Sequence, residues 1–564
     1  RTPWQVRCSQ PTLQHHSGCS SNWLSETPTH NTTVKQSDGM LGFILVLLGL
    51  VVGLVVLIGA MLVVSKLRRS MNVRSYPSKV KTNGKFTKLL SEERKGEDEI
   101  CDVLVIGAGP SGATFSYYLA KSNPELKINL VDRCCFPRKK YCGDAWCAPA
   151  LDILEDMGIL EMLEKGETDL PIEQEYIKGR PLCRAVQRGG FISPAGHECI
   201  GGPYGSSVNI RTYAIKRYIV DEFIARKAAS AGANLLEECE IETMKFDQEN
   251  GIWTAGVKGG TEIKARLAVI ADGSNSFMAR KLGLVSTPPD SVCSHQYVQI
   301  AEEDRQNFDA DGVMFFSKSI LPGYSAIFKH YDNDIYLGTY ILPGGQSTAT
   351  WIKPFEEGLL SSYQYIRHAL GITQEKTQDD LIYRETKKVA PIRTGGEAKS
   401  YDDHLLIIGD AAGQVDPLTG EGIHTAMIGG KIAAKVVPEM FKNGDFSADS
   451  TAVYHRLWME EFGEDFWWSS AMATALVWCP IAVDAMAVVG QRKGQAFLDE
   501  FGEMMTGVRS KAGFLAPHLA APLALELFVQ CFQQYILKAH PFYPDCGEEI
   551  AQKEKKKQKN KKSQ

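Results

Sequence analysis

Three widely spaced clusters hold most of the chemistry in this sequence: Gly107-Ala108-Gly109-Pro110-Ser111-Gly112, Ala271-Asp272-Gly273 and Gly409-Asp410-Ala411-Ala412-Gly413. Glycines at this spacing let a backbone turn sharply and approach a diphosphate, and the acids can accept hydrogen bonds from sugar hydroxyls. Asp102 to Ile106 precedes the first cluster and reads as a buried parallel strand, because it is short and β-branched. Gly107 then permits the tight turn, Gly109 the close approach, and Gly112 the packing of helix on strand. A helix from Ala113 to Lys121 would offer free N–H groups at its start. A second strand, Lys127 to Val131, ends at Asp132, twenty residues beyond Gly112, where an acid can hold an adenosine ribose.

One such loop does not separate NAD from FAD; the other two do. Ala265 to Ala271 and Leu405 to Ile408 are further apolar runs, ending in Asp272-Gly273 and Gly409-Asp410. The third continues through Asp416-Pro417-Leu418-Thr419-Gly420-Glu421-Gly422-Ile423-His424. A second carboxylate for a sugar alcohol, followed by glycines that open a helix, suits the ribityl chain and diphosphate of FAD. The helix beginning near Gly422 would point its positive end at the flavin ring.

This set resembles the FAD-dependent oxidoreductases that include aromatic hydroxylases, squalene epoxidase, flavin halogenases and geranylgeranyl reductases. Within that group the sequence is most similar to the geranylgeranyl reductases. Asp416 to Ile423 looks like their flavin-facing loop, and Pro137-Arg138-Lys139-Lys140-Tyr141-Cys142-Gly143 looks like their Pro-x-x-Lys-x-Cys-Gly element. Arg217-Tyr218-Ile219-Val220-Asp221 is similar to the segment that sets an arginine near the flavin. Pro322-Gly323-Tyr324 with Ile327-Phe328 matches a sheet-domain segment, but Lys329 stands where a proline is usual, and Ile335 to Gly338 replaces Asn-Val-Gly. The resemblance spans roughly 99–440 and implies an α/β fold: a Rossmann-like FAD-binding domain with an inserted, mostly antiparallel β-sheet substrate domain.

The sheet is expected at about 160–205 and 290–395, where alternating segments such as Ala326 to Tyr331 occur. Residues 441–545 read as a helical C-terminal region, apolar but broken by Pro480, Asp484, Pro517, Pro522 and Glu526, so neither run in it is a convincing span. That region is either plain helical core or a face docked on a bilayer. At 564 residues the chain is too long for one core, and its net charge of −5 argues against a nucleic-acid partner.

The first hundred residues are a different polymer. Residues 1–39 are polar and read as disordered, and 40–64 is an uncharged run long enough to span a bilayer as a single transmembrane helix. Residues 65–98 follow as a basic linker; eight cations from Lys66 to Lys88 against three before the run place the N-terminus in the lumen. Asn31-Thr32-Thr33 is a sequon on that side. Twelve of the 14 cysteines fall on the cytosolic side without a disulfide spacing. Cys142 and Cys147 lack a second ligand pair, so no metal site is expected. Residues 546–564 are a Lys-rich tail whose Lys561 and Lys562 resemble a dilysine retrieval signal of the endoplasmic reticulum. A single-pass protein of that membrane is the expected location, with a plastid membrane as the alternative.

The resemblance implies reduction of C=C bonds in a prenyl lipid, with a hydride to one carbon and a proton to the other. Cys142, Glu421 and His424 are the candidate proton donors, and Cys142 has the best claim because its element matches the reductases. Arg138, Lys139 and Lys140 suit a substrate diphosphate or, more plainly, a solvated turn. The cofactor-binding candidates are Gly107, Gly109, Gly112, Asp132, Arg217, Asp272, Gly273, Asp410, Gly420 and Gly422. No second glycine loop for NADPH is evident, so NADPH binds over the flavin domain or a redox partner protein supplies electrons. A squalene epoxidase-like monooxygenase is the main rival, and a non-catalytic flavoprotein scaffold the second.

Overall fold

A computed structural model describes residues 100–537, apart from 173–176, 178, 203–210, 286–287, 346–348, 373–380 and 384–386. The chain divides into two compact units at Thr87/Lys88, and the described residues belong to the second. The expected lumenal segment, span, linker and Lys-rich tail lie outside the described residues.

Ile100–Ile106 is the hub of the first sheet, since Val103, Leu104 and Val105 are all fully buried. It pairs in parallel with Ile128–Val131 on one side and Glu262–Ile270 on the other. Asn234–Leu236 and Leu405–Ile407 extend these two edges, again in parallel. Alternation decides what each face meets. Val103 and Val105 join a core with Phe115, Phe223 and Met427 from the helices Pro110–Ser122, Arg217–Ser230 and Ile423–Asn443. Leu104 and Ile106 face Met244 and Trp253 of the antiparallel hairpin Ile241–Asp247/Ile252–Val257.

The second sheet runs in the order Ile382–Tyr383, Ser291–Gln299, Asp334–Ile341, Tyr324–Lys329, Gly312–Phe315, Gly189–Ile192, Glu198–Gly201, with Lys388–Ile392 also on Ser291–Gln299. Its pairs are antiparallel except Gly312–Phe315 with Gly189–Ile192. One face buries Val313, Ile327 and Leu337 against Phe355 and Ile366 of the helices Ile352–Ser362 and Gln364–Ala369. The other face turns Met314, Tyr324, Phe328 and Tyr340 toward the first sheet's loops.

Sheet was expected from residue 160, and there the structure differs. Ile159–Lys165 is a helix, because Ile159, Leu160 and Leu163 form a helical stripe buried in the first core. Arg184–Ala185 belongs to a separate small sheet with Thr212–Ala214 and Ala145–Cys147. The C-terminal helices are Ala448–Trp478, Ile481–Lys493, Gln495–Met505 and Pro517–Cys531. Among the described residues no single helix is long and apolar enough to cross a membrane. Ala448–Trp478 and Ile481–Lys493 pass that test only as a pair, bent by 106° at Cys479-Pro480.

Candidate active site

The loops after the parallel strands and the inner face of the second sheet enclose a cavity of about 1180 Å³. At Gly107 φ is +108°, and a Cβ there would lie 2.3 Å from the Ala271 carbonyl oxygen, so only glycine closes this turn. A Cβ on Gly112 would lie 2.0 Å from the Gly107 oxygen, which is why the helix can start directly under the loop. That helix begins at Gly109 with no side-chain cap and Pro110 in its first turn, leaving N–H groups facing the cavity mouth.

Asp132 is fixed by the same loop. Its carboxylate accepts from the Ala108 N–H at 3.1 Å and the Cys134 N–H at 3.0 Å. Arg138 bridges it to a second acid, with Nε 3.3 Å from Asp132 and Nη1 3.3 Å from Asp221. Asp221 in turn grips Arg217 through two bonds of 2.6 and 3.0 Å, and the Arg217 guanidinium also reaches Cys142. Acids and cations thus alternate along one wall, and each buried charge has an opposite neighbour.

Asp272 and Asp410, two further acids on the cavity wall, are held differently. Asp272 accepts from the Met278 N–H at 2.8 Å, while its second oxygen is buried with no partner in the protein. Burial raises this carboxyl to about 6. Asp410 accepts from the Ser274 hydroxyl at 2.8 Å. Gly273 and Gly420 line the cavity at positive φ, and Gly422 caps the helix Ile423–Asn443 without a side-chain bond. The loop before that helix is pinned by Asp416, which accepts from Leu418 N, Thr419 N and Ser469 Oγ at 2.7–2.9 Å. Burial opposes ionisation of Asp416, but Lys511 at 2.9 Å outweighs it and holds the carboxyl below the usual range.

At the start of that helix lies a cluster of proton-bearing groups. The Cys147 thiol donates to Glu421 Oε1 at 3.2 Å, and His424 Nδ1 lies 3.7 Å from Oε2. Burial raises the Glu421 carboxyl to about 7. Burial, with Lys511 adding repulsion, lowers His424 to about 4, so its ring is neutral at pH 7. Burial and then Glu421 push the Cys147 thiol up, keeping it protonated. Facing this cluster, Tyr324 and Tyr340 stack at 4.7 Å, and the Tyr324 hydroxyl ties the sheet to the loop by donating to the Thr419 carbonyl at 2.6 Å.

Of the thirteen candidates read from the sequence, all but Gly112 line this cavity. Arg138, Lys139 and Lys140 line it too, with Arg138 held inside the wall rather than in a solvated turn. Cys147 was weighed in the sequence only as a zinc ligand, and its pairing with Glu421 spans 274 positions. Lys511 gave no sequence signal, being one lysine in a helical region.

An FAD fits what is present: two uncapped helix starts, a glycine turn, three acids on the wall and an orphaned Asp272 oxygen, in a space larger than the ~300–1,000 Å³ of ordinary ligand pockets. Fold and cavity together define a flavin-dependent oxidoreductase. Comparison with known proteins agrees. The family described as FAD binding domain matches residues 100–435, more than half of the chain. A Dictyostelium discoideum protein named conditioned medium factor receptor 1 is 38% identical over 450 residues, covering 78% of this chain and 83% of that one. Digeranylgeranylglycerophospholipid reductase of Methanocaldococcus jannaschii is 28% identical over 383 residues, covering 65% and 84%. The crystal structure of a geranylgeranyl bacteriochlorophyll reductase-like protein from Thermoplasma acidophilum superposes with a TM-score of 0.51 at 18% identity, covering 80% and 99%. The chain belongs to the FAD-binding-domain family, and digeranylgeranylglycerophospholipid reductases are among its relatives.

Proposed function

We propose that this oxidoreductase saturates isolated C=C bonds of a geranylgeranyl-type prenyl lipid. The observation that carries the reading is the Cys147 thiol bonded to Glu421 opposite an aromatic wall inside the cofactor cavity. The archaeal relatives named for reducing digeranylgeranyl lipids support it.

Gly107, Gly109 and the start of Pro110–Ser122 would hold the FAD diphosphate, Asp132 and Arg138 its adenosine end, and Asp272 and Asp410 its ribityl side. Reduced FAD supplies a hydride to one alkene carbon, and the protein must deliver a proton to the other. An unactivated alkene accepts hydride poorly, so the acid must be in place as charge develops. Glu421 is the proton reservoir: the Cys147 thiol donates to its Oε1, and its Oε2, 3.7 Å from neutral His424, has no hydrogen-bond partner in the protein and faces the cavity. Cys142, beside Arg217, is the remaining donor candidate lining the cavity. Tyr324, Tyr340, Met314 and Phe328 exclude water and grip the prenyl chain. Lys139 and Lys140 sit where a charged headgroup would enter. NADPH or a protein donor would recharge the flavin. On the same reading the enzyme works at the endoplasmic reticulum membrane with this domain in the cytosol.

The test is an anaerobic single turnover of photoreduced enzyme with geranylgeranyl diphosphate, reading flavin reoxidation and product mass. A gain of two hydrogens per bond supports the reductase. Reoxidation that needs oxygen, with a product heavier by one oxygen atom, overturns it in favour of a monooxygenase. The name of the Dictyostelium relative raises a second reading, a flavoprotein receptor, which predicts bound FAD and no turnover of any prenyl lipid.

A further inference from the structure

The helix Pro517–Cys531 and the turn Phe532–Ile536 that continues it are inside out. Facing inward are Leu519, Glu526 and Gln530. The polar groups there are satisfied within the fold. Gln530 Nε2 donates to Glu526 at 2.9 Å, Arg492 Nη1 to Glu526 at 2.5 Å, and Gln534 Nε2 to Asp484 at 2.7 Å. Facing outward are Leu525 at 67% exposure, Tyr535 at 67%, Ile536 at 58% and Leu537 at 63%. A helix bathed in water shows the opposite arrangement. Trp478, 85% exposed, sits at the 106° break, next to Cys479, which interacts electrostatically with Cys531 of this helix.

Several observations select the occupant of this face. A protein partner would be met by a rim of polar groups, whereas Glu526 and Gln530 are buried and already paired, as hydrocarbon requires, and Gln533 is the exposed polar side chain within 525–537. Trp478 and Tyr535 are the residue types that anchor at a lipid–water boundary. Beyond Leu537 the sequence runs on for 27 residues and contains Lys555-Lys556-Lys557, Lys559, Lys561 and Lys562, a complement to anionic headgroups. Behind the helix, Met314 and Tyr324, which line the cavity, pack on the core that Leu519 and Leu523 share with Phe501.

We propose that Trp478 and residues 525–537 form a docking surface seated in the outer acyl region of an anionic bilayer, on the cavity's lipid-facing side. That it delivers substrate rests on the prenyl-lipid reading above; the docking itself does not. Because the uncharged run at 40–64 can hold the full chain on a vesicle, contact and not attachment must be read. The full chain is reconstituted in vesicles of equal parts phosphatidylcholine and phosphatidylserine, with a photoreactive benzoylphenylalanine replacing Leu525, Ile536 or, as control, the exposed Glu249. Lipid adducts at 525 and 536 but not at 249 support the docking surface. Absence of lipid adducts there, or adducts to a second copy or another protein, overturns it. In parallel, the double variant Leu525→Glu/Ile536→Glu should lose about tenfold in turnover of a vesicle-embedded prenyl lipid while keeping its rate on soluble geranyl diphosphate. Equal rates of the variant and parent on the embedded lipid overturn the delivery role. If the parent turns over neither substrate while the adducts form, the reductase reading falls and the docking surface stands.

Discussion

Replacing Glu421 by Gln probes the proton chemistry most directly. The carboxyl stands at the start of Ile423–Asn443, 3.2 Å from the Cys147 thiol, and burial lifts it from 4.5 to about 7. Its 26% exposure is on the cavity it lines. One pH unit corresponds to about 1.4 kcal/mol, so the difference between 7 and 4.5 is worth about 3 kcal/mol. Because the folded value is the higher one, the group favours the fold fully below pH 4.5, and that contribution is lost as pH rises through about 7. Gln cannot ionise. Glu421→Gln should therefore remove this loss and be more stable than the parent at pH 8 by up to about 3 kcal/mol. Catalysis should move the other way. The parent's single-turnover rate should fall above about pH 7 as the acid ionises. The variant should be slower at pH 6 by roughly 10²–10⁴ and show no such limb. Anaerobic stopped-flow reoxidation across pH 5–9 and thermal unfolding at the same pH values measure both. An alkaline limb that survives unchanged in Glu421→Gln would refute the assignment and return the role to Cys142.

Gly107→Ala places a Cβ 2.3 Å from a backbone oxygen at positive φ, so the purified protein should lack the flavin absorbance of the parent. Asp132→Ala removes a charged acceptor from the adenosine end and leaves Arg138 paired only with Asp221; FAD affinity, read by fluorescence titration, should drop about 10–100-fold. Lys511→Ala strips the counter-ion from Asp416 and Asp465, and thermal unfolding should register a loss of about 3–5 kcal/mol.

The cofactor loops were readable in sequence because their constraints are local. A glycine that must take φ +108° beneath a carbonyl announces itself by spacing alone. The parallel strands were readable for a similar reason, since burial on both faces leaves an uninterrupted apolar run. What stayed hidden depends on contacts between distant positions. Cys142 sits in the recognisable element, yet the thiol that meets Glu421 is Cys147, brought there by the small sheet of Ala145–Cys147. Lys511 is separated by 95 residues from Asp416, and no local pattern marks a lysine that will be buried in an ion pair. Residues 159–165 carry their apolar positions, Ile159, Leu160, Met162 and Leu163, at helical spacing and not in alternation, so the helix there is legible and the expected sheet boundary falls too early.

The order of the first sheet sets a timetable for synthesis. Ile100–Ile106 emerges from the ribosome early, but its neighbour Glu262–Ile270 follows only after 155 intervening residues, and Leu405–Ile407 after another 134. The helix that completes the flavin pocket ends at Asn443. Until then the nascent chain carries a half-built nucleotide site whose apolar strand edge is open, and pairing over such sequence distances is slow. Cofactor supply thus becomes part of maturation: a chain finished in flavin-starved cells would have paired these strands around a pocket with nothing to brace it.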